Sequence, residues 1–109
     1  MSRLLVMLTA ISAFGAFVNT ASEALADPKS GREFAQRICA ECHAVLPEDT
    51  TSRNAEAPAF KAIADNPFWT RTALLVWFQT PHPTMPNMLL DTEDLENVIA
   101  YILSLRDKS

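Results

Sequence analysis

The sequence predicts an all-α fold, about four short helices packed as one small domain. Apolar residues recur at i, i+3 and i+4 in several segments, and no segment shows the sustained alternation of a half-buried strand. Prolines and turn-forming polar residues interrupt those segments, so each helix must be short.

Residues 1–26 read as a removable leader. Arg3 supplies a basic start, Leu4 to about Val18 an apolar run, and Ala24-Leu25-Ala26 a small-residue cleavage site, which is the pattern of a secretory signal peptide. The run of about 15 residues is short for a bilayer span of roughly 20, and Asn19, Ser22 and Glu23 dilute its end. Left uncleaved, it would be a membrane anchor; no cysteine follows it to accept a lipid. Cleavage after Ala26 leaves residues 27–109 as a single domain of 83 residues. A chain of that size buries little apolar surface and needs a staple. Losing Arg3 and Glu23 keeps the net charge at −4, without the basic footprint of a nucleic-acid-binding protein.

Within that domain, Ser30 and Glu33 have capping-box spacing, and Phe34, Ala35, Ile38, Cys39 and Cys42 continue an apolar helical stripe. Ala44 to Pro58 is polar and rich in turn formers, and reads as a loop. Pro58 is placed to open a short helix through Phe60 and Ile63 that Asn66-Pro67 stops. Thr70 can cap the next, which carries Leu74, Leu75, Trp77 and Phe78. Thr80 to Asn87 contains Pro81, Pro83 and Pro86 and cannot be a regular helix. Asp91 or Thr92 caps the last helix, whose Leu95, Val98, Ile99, Ile102 and Leu105 share one face. Gly31 is the one glycine of the domain, and its missing side chain predicts close helix contact rather than a turn.

The first helix runs into Cys39-Ala40-Glu41-Cys42-His43, and Cys-x-x-Cys-His is the spacing of covalent haem attachment. Each thiol can add to one porphyrin vinyl group, and the imidazole that follows then falls where it can bind the iron. Helical spacing presents all three groups together. A bare Cys-x-x-Cys also occurs in thioredoxin-like redox pairs and as half of a four-ligand zinc site. The first expects a βαβ neighbourhood and the second another ligand pair, whereas this chain has two Cys and two His in all, with His82 far from the motif.

Methionine is more often core filler than ligand, but the setting of Met85 changes that reading. Pro86 drives Met85 out of helical geometry, and the surrounding prolines reduce the entropy lost when the loop fixes a sulfur on iron. Met88 and His82 are its rivals. Met88 reads first as core and His82 as a part-exposed loop residue, and either is a candidate to replace a lost Met85.

These features resemble the class I c-type cytochromes, the small monohaem cytochromes c of bacteria, over nearly all of residues 27–109. Gly31 lies eight residues before Cys39, as a glycine does where the first and last helices cross in that family. Tyr101 within Ile99-Ala100-Tyr101-Ile102-Leu103-Ser104-Leu105 resembles the terminal helix that packs there. His82-Pro83-Thr84-Met85-Pro86-Asn87 resembles the segment that brings a methionine sulfur to the iron. The resemblance implies a cytochrome c fold whose N- and C-terminal helices cross beside one covalent haem c. Cys39 and Cys42 would attach it, and His43 and Met85 would be the axial ligands, the ligating methionine preceding the proline rather than following it. A loop carbonyl, from Pro58 or else Pro47, would hold the free nitrogen of His43. Arg53 and Trp69 are candidates to meet a propionate, beside plainer readings as a solvated arginine and a packing residue, and Trp77 is expected in the core.

Histidine and thioether both stay bound in ferric and ferrous states and leave no open site for a substrate. The expected function is therefore reversible single-electron transfer between a donor and an acceptor in the periplasm, and not enzymatic catalysis. Two alternatives share the motif: a cytochrome subunit dedicated to one periplasmic dehydrogenase or oxidase, and a haem enzyme or ligand sensor with an open sixth position. Acidic clusters at Glu48-Asp49 and at Asp91, Glu93, Asp94 and Glu96 suit a partner with a basic docking patch, although the second also complements a helix dipole. A monomer is expected, with no permanent membrane span after leader cleavage.

Overall fold

The computed structural model describes residues 10, 12–16, 25–82, 84–86 and 88–107. Most of the expected leader lies outside the described residues, and the parts that are described form no regular element. Among the described residues, no helix is long and apolar enough to cross a membrane. In order come α1 (Pro28–Arg37), a 3-10 turn (Cys39–Glu41), α2 (Phe60–Asp65), α3 (Arg71–Gln79) and α4 (Thr92–Ser104). The described residues contain no strand, only an isolated antiparallel bridge between His82 and Met85. The all-α expectation holds.

Caps explain where the helices begin. α1 starts earlier than the Ser30–Glu33 spacing suggests, because Asp27 caps it by accepting from the Lys29 and Ser30 amides at 3.1 and 3.3 Å. Pro28 fills the first helical position, where a missing N–H costs nothing. Ser30 supports this cap instead of forming its own, its hydroxyl donating to Asp27 Oδ2 at 2.7 Å. The Ser30 hydroxyl and the Lys29 amide hold the Asp27 carboxyl below its ordinary range. Thr70 Oγ1 caps α3 by accepting from the Ala73 amide at 3.1 Å, and Asp91 Oδ1 caps α4 by accepting from the Asp94 amide at 2.8 Å. Glu93 and Asp94 occupy the first turn of α4, where negative charge meets the positive end of the dipole.

The core lies where α1 crosses α4. Phe34 and Ala35 pack there with Val98, Ile99 and Ile102, while Leu105 at the end of the stripe is half-buried. Gly31 makes the crossing close: a side chain there would run into the Asn97 carbonyl and come within 2.9 Å of Tyr101 Cβ. Two polar residues of the crossing are satisfied. Asn97 Oδ1 accepts from the Asp27 amide at 2.7 Å, and the Tyr101 hydroxyl donates to the Val45 carbonyl at 2.6 Å. At the far end of α4, Arg106 donates through Nε to the Ala64 carbonyl at 2.6 Å and through Nη2 to the Trp69 carbonyl at 2.8 Å. It therefore satisfies a carbonyl in the last turn of α2 and fixes the link to α3.

Candidate functional site

The Cys-x-x-Cys-His motif leaves α1 and tightens into the 3-10 turn. The Cys39 carbonyl accepts from two amides, that of Cys42 at 3.2 Å with the tighter 3-10 spacing and that of His43 at 2.9 Å with α-helical spacing. Cys39, Cys42 and His43 are all half-buried and line one cavity of about 620 Å³. Both cysteines are free, and burial pushes the Cys39 thiol up to about 11.

His43 is held from two sides. Its ring packs on Phe60 with centroids 5.4 Å apart, and its Nδ1 lies 2.6 Å from the Pro58 carbonyl. A carbonyl only accepts, so in the neutral ring Nδ1 carries the proton and Nε2 keeps its lone pair, which suits a metal-binding imidazole. The carbonyl comes from Pro58, as expected, and not from Pro47. Its loop is anchored by the Phe60 amide donating to the Ala44 carbonyl at 2.9 Å and by the Asn54 amide donating to the Cys42 carbonyl at 3.1 Å.

The segment after α3 supplies the cavity's other donors. Met85 and Met88 both line it, as does His82. His82 is the part-exposed loop residue expected, but its Nε2 is buried and has no hydrogen-bond partner among the described residues. Trp77 departs from the expected core position. It is 42 % exposed and stacks on His82 with centroids 4.3 Å apart, because α3 turns that face toward the proline-bearing loop rather than toward α4. Trp69 is half-buried and meets Trp77 edge-on, with centroids 5.3 Å apart. Arg53 is exposed and does not line the cavity.

The remaining wall is apolar, from Phe34, Ile63, Leu74 and Ile102 among others. A cavity of this size lies within the roughly 300–1,000 Å³ of cofactor sites. It combines two thiols, an imidazole with a free lone pair and thioether sulfurs with an apolar lining, the donor set that a covalent, largely buried haem requires. The residues therefore fit the group. Sequence reasoning missed two contributors, Trp77 as a platform for His82 and Arg106 as the tie behind α2 and α3. Arg106 acts across the fold, on carbonyls 42 and 37 residues away, and Trp77 meets His82, five residues on, only because the chain leaves the α3 helix at Thr80.

Comparison with known proteins agrees with the geometry. The sequence model of the family described as Cytochrome c matches residues 28–106. Cytochrome c-552 of Bradyrhizobium diazoefficiens is 35 % identical over 92 residues, covering 84 % of this chain and 88 % of the relative. No solved structure gives a significant match.

Proposed function

The chain belongs to the cytochrome c family, whose members carry covalently bound haem c with its iron, and from that premise we propose that it is an exported single-electron shuttle with histidine–methionine ligation. Cys39 and Cys42 would hold the haem through thioether bonds, and His43 Nε2 and the Met85 sulfur would bind its iron. The observation that carries this reading is the gathering of those four side chains on one cavity, with His43 already oriented by the Pro58 carbonyl.

When bound, the haem supplies a centre that changes by one electron. The residues of the chain set how it behaves. The Pro58 carbonyl fixes the His43 tautomer and makes its lone pair more basic. Met85 offers a soft sulfur that favours the reduced iron and raises the potential. Phe34, Leu74 and Ile102 give the cavity an apolar wall, against which little solvent would reorganise when charge changes. Filling both axial positions leaves no place for a substrate, hence a carrier rather than a catalyst.

Export is part of the proposal. The family match begins at residue 28, directly after the expected cleavage at Ala26, which supports residues 1–26 as leader and 27–109 as the working domain. The acidic surface suits donor and acceptor proteins with basic docking patches, met by a monomer. A potentiometric titration of the exported protein tests the function: reversible oxidation and reduction following a one-electron Nernst curve is expected. Turnover of a small-molecule substrate, or a reduced form that binds carbon monoxide at once, would speak for an enzyme or sensor instead.

A further inference from the structure

His82 is oriented through Nδ1 in the same way as His43. Its Nδ1 lies 3.0 Å from the Thr80 carbonyl, which can only accept, so in the neutral ring the proton sits on Nδ1 and the lone pair on Nε2. That Nε2 is the one buried side-chain nitrogen or oxygen without a partner among the described residues, on a residue that lines the haem cavity. A buried acceptor left unpaired is costly, and nothing else described in the fold uses it. Trp77 stacks on the ring at 4.3 Å and 31°, fixing its plane.

The backbone relates this imidazole to Met85. The two residues form an antiparallel bridge, and residues directly opposite across such a bridge carry their side chains on the same face. Both line the same cavity, so one tight loop brings the imidazole and the thioether to the same wall.

Resting on the ligation proposed above, we infer that His82 is a reserve axial ligand that takes the sixth position whenever the Met85 sulfur leaves it. The exchange needs no electron and no proton: a bond from iron to sulfur breaks, a bond from iron to His82 Nε2 forms, and Nδ1 keeps its proton on the Thr80 carbonyl. Nitrogen is the harder donor and favours ferric iron, so the exchange is expected first in the oxidised protein and lowers the potential. The chain thereby keeps its iron six-coordinate instead of exposing an open, reactive site.

The test compares holoproteins of Met85→Leu and Met85→Leu/His82→Leu by paramagnetic resonance of the ferric form and by carbon monoxide binding to the ferrous form. In the single variant, a low-spin signal with two nitrogen ligands and slow carbon monoxide binding are expected; the double variant should lose that signal and bind carbon monoxide at least tenfold faster. A single variant that is already high-spin, or a double variant that stays low-spin through Met88 or another donor, would overturn the assignment. Should the Met85→Leu chain not retain haem, wild type and His82→Leu are compared as urea removes the sulfur band. A nitrogen-ligated ferric species is then expected in the wild type alone, and its presence in both, or in neither, refutes the role of His82. Absence of a sulfur band from the untreated wild type would instead strike at the histidine–methionine reading itself.

Discussion

Gly31 and Asn97 define the helix crossing, for the backbone of α4 at Asn97 occupies the space that any side chain at position 31 would need. The neighbour is a carbonyl in the middle of a helix and not the flexible end of a side chain, so it cannot move aside cheaply. α1 and α4 can lie this close only because residue 31 ends at Cα.

Gly31→Val therefore separates the two helices. The expected loss is at least the roughly 1–3 kcal/mol of an overpacked core, read as a fall in melting temperature of about 4–8 °C per kcal/mol for a domain of this size. Asn97 would be displaced together with its bond to the Asp27 amide, so the N-terminus of α1 should also fray. An unchanged melting point of the holoprotein would contradict the close crossing.

Tyr101→Phe leaves the buried Val45 carbonyl without its donor, at a cost of about 1–3 kcal/mol. The same hydroxyl gives a pH signature. Burial, the largest influence on Tyr101, raises its ionisation above the ordinary value of 10.0. The folded state thus favours the protonated phenol: its stabilisation is fully present below that ordinary value and is lost as pH rises through the higher folded one. Wild type should lose stability faster than Tyr101→Phe above about pH 10, as followed by urea unfolding at stepped pH. Parallel curves for the two proteins would remove Tyr101 from the alkaline transition.

Cys39→Ala/Cys42→Ala removes covalent attachment and leaves a cavity of about 620 Å³ at the centre of a domain too small to close it. Far-ultraviolet circular dichroism should show most helix signal lost, with no cooperative thermal transition. Retention of native helicity without haem would show that the α1–α4 crossing is sufficient by itself.

How much of this was legible in the sequence depended on the range of the interaction. Thr70 and Asp91 announced their helices because capping is a contact of three residues. Gly31, Tyr101 and the Cys39–His43 motif were readable through their spacing and their likeness to a family. Asp27 was overlooked as the first cap because the Ser30–Glu33 spacing resembles a capping box, whereas an Asp-Pro pair three residues earlier presets the helix more strongly. Trp77 was misplaced because helical periodicity gives a face without saying what lies opposite. The orphaned nitrogen of His82 was invisible because it depends on the turn that follows α3, which folds Trp77 and the Thr80 carbonyl against the ring, and periodicity does not describe such a turn.

The most direct measurement is the visible spectrum of the exported protein, oxidised and then reduced with dithionite, with attention to the weak far-red band that methionine sulfur gives on ferric haem. A c-type reduced spectrum together with that band, retained in Met88→Leu and lost in Met85→Leu, is the expected result. A c-type spectrum without the band in the wild type, or a band that disappears with Met88, would contradict ligation by Met85.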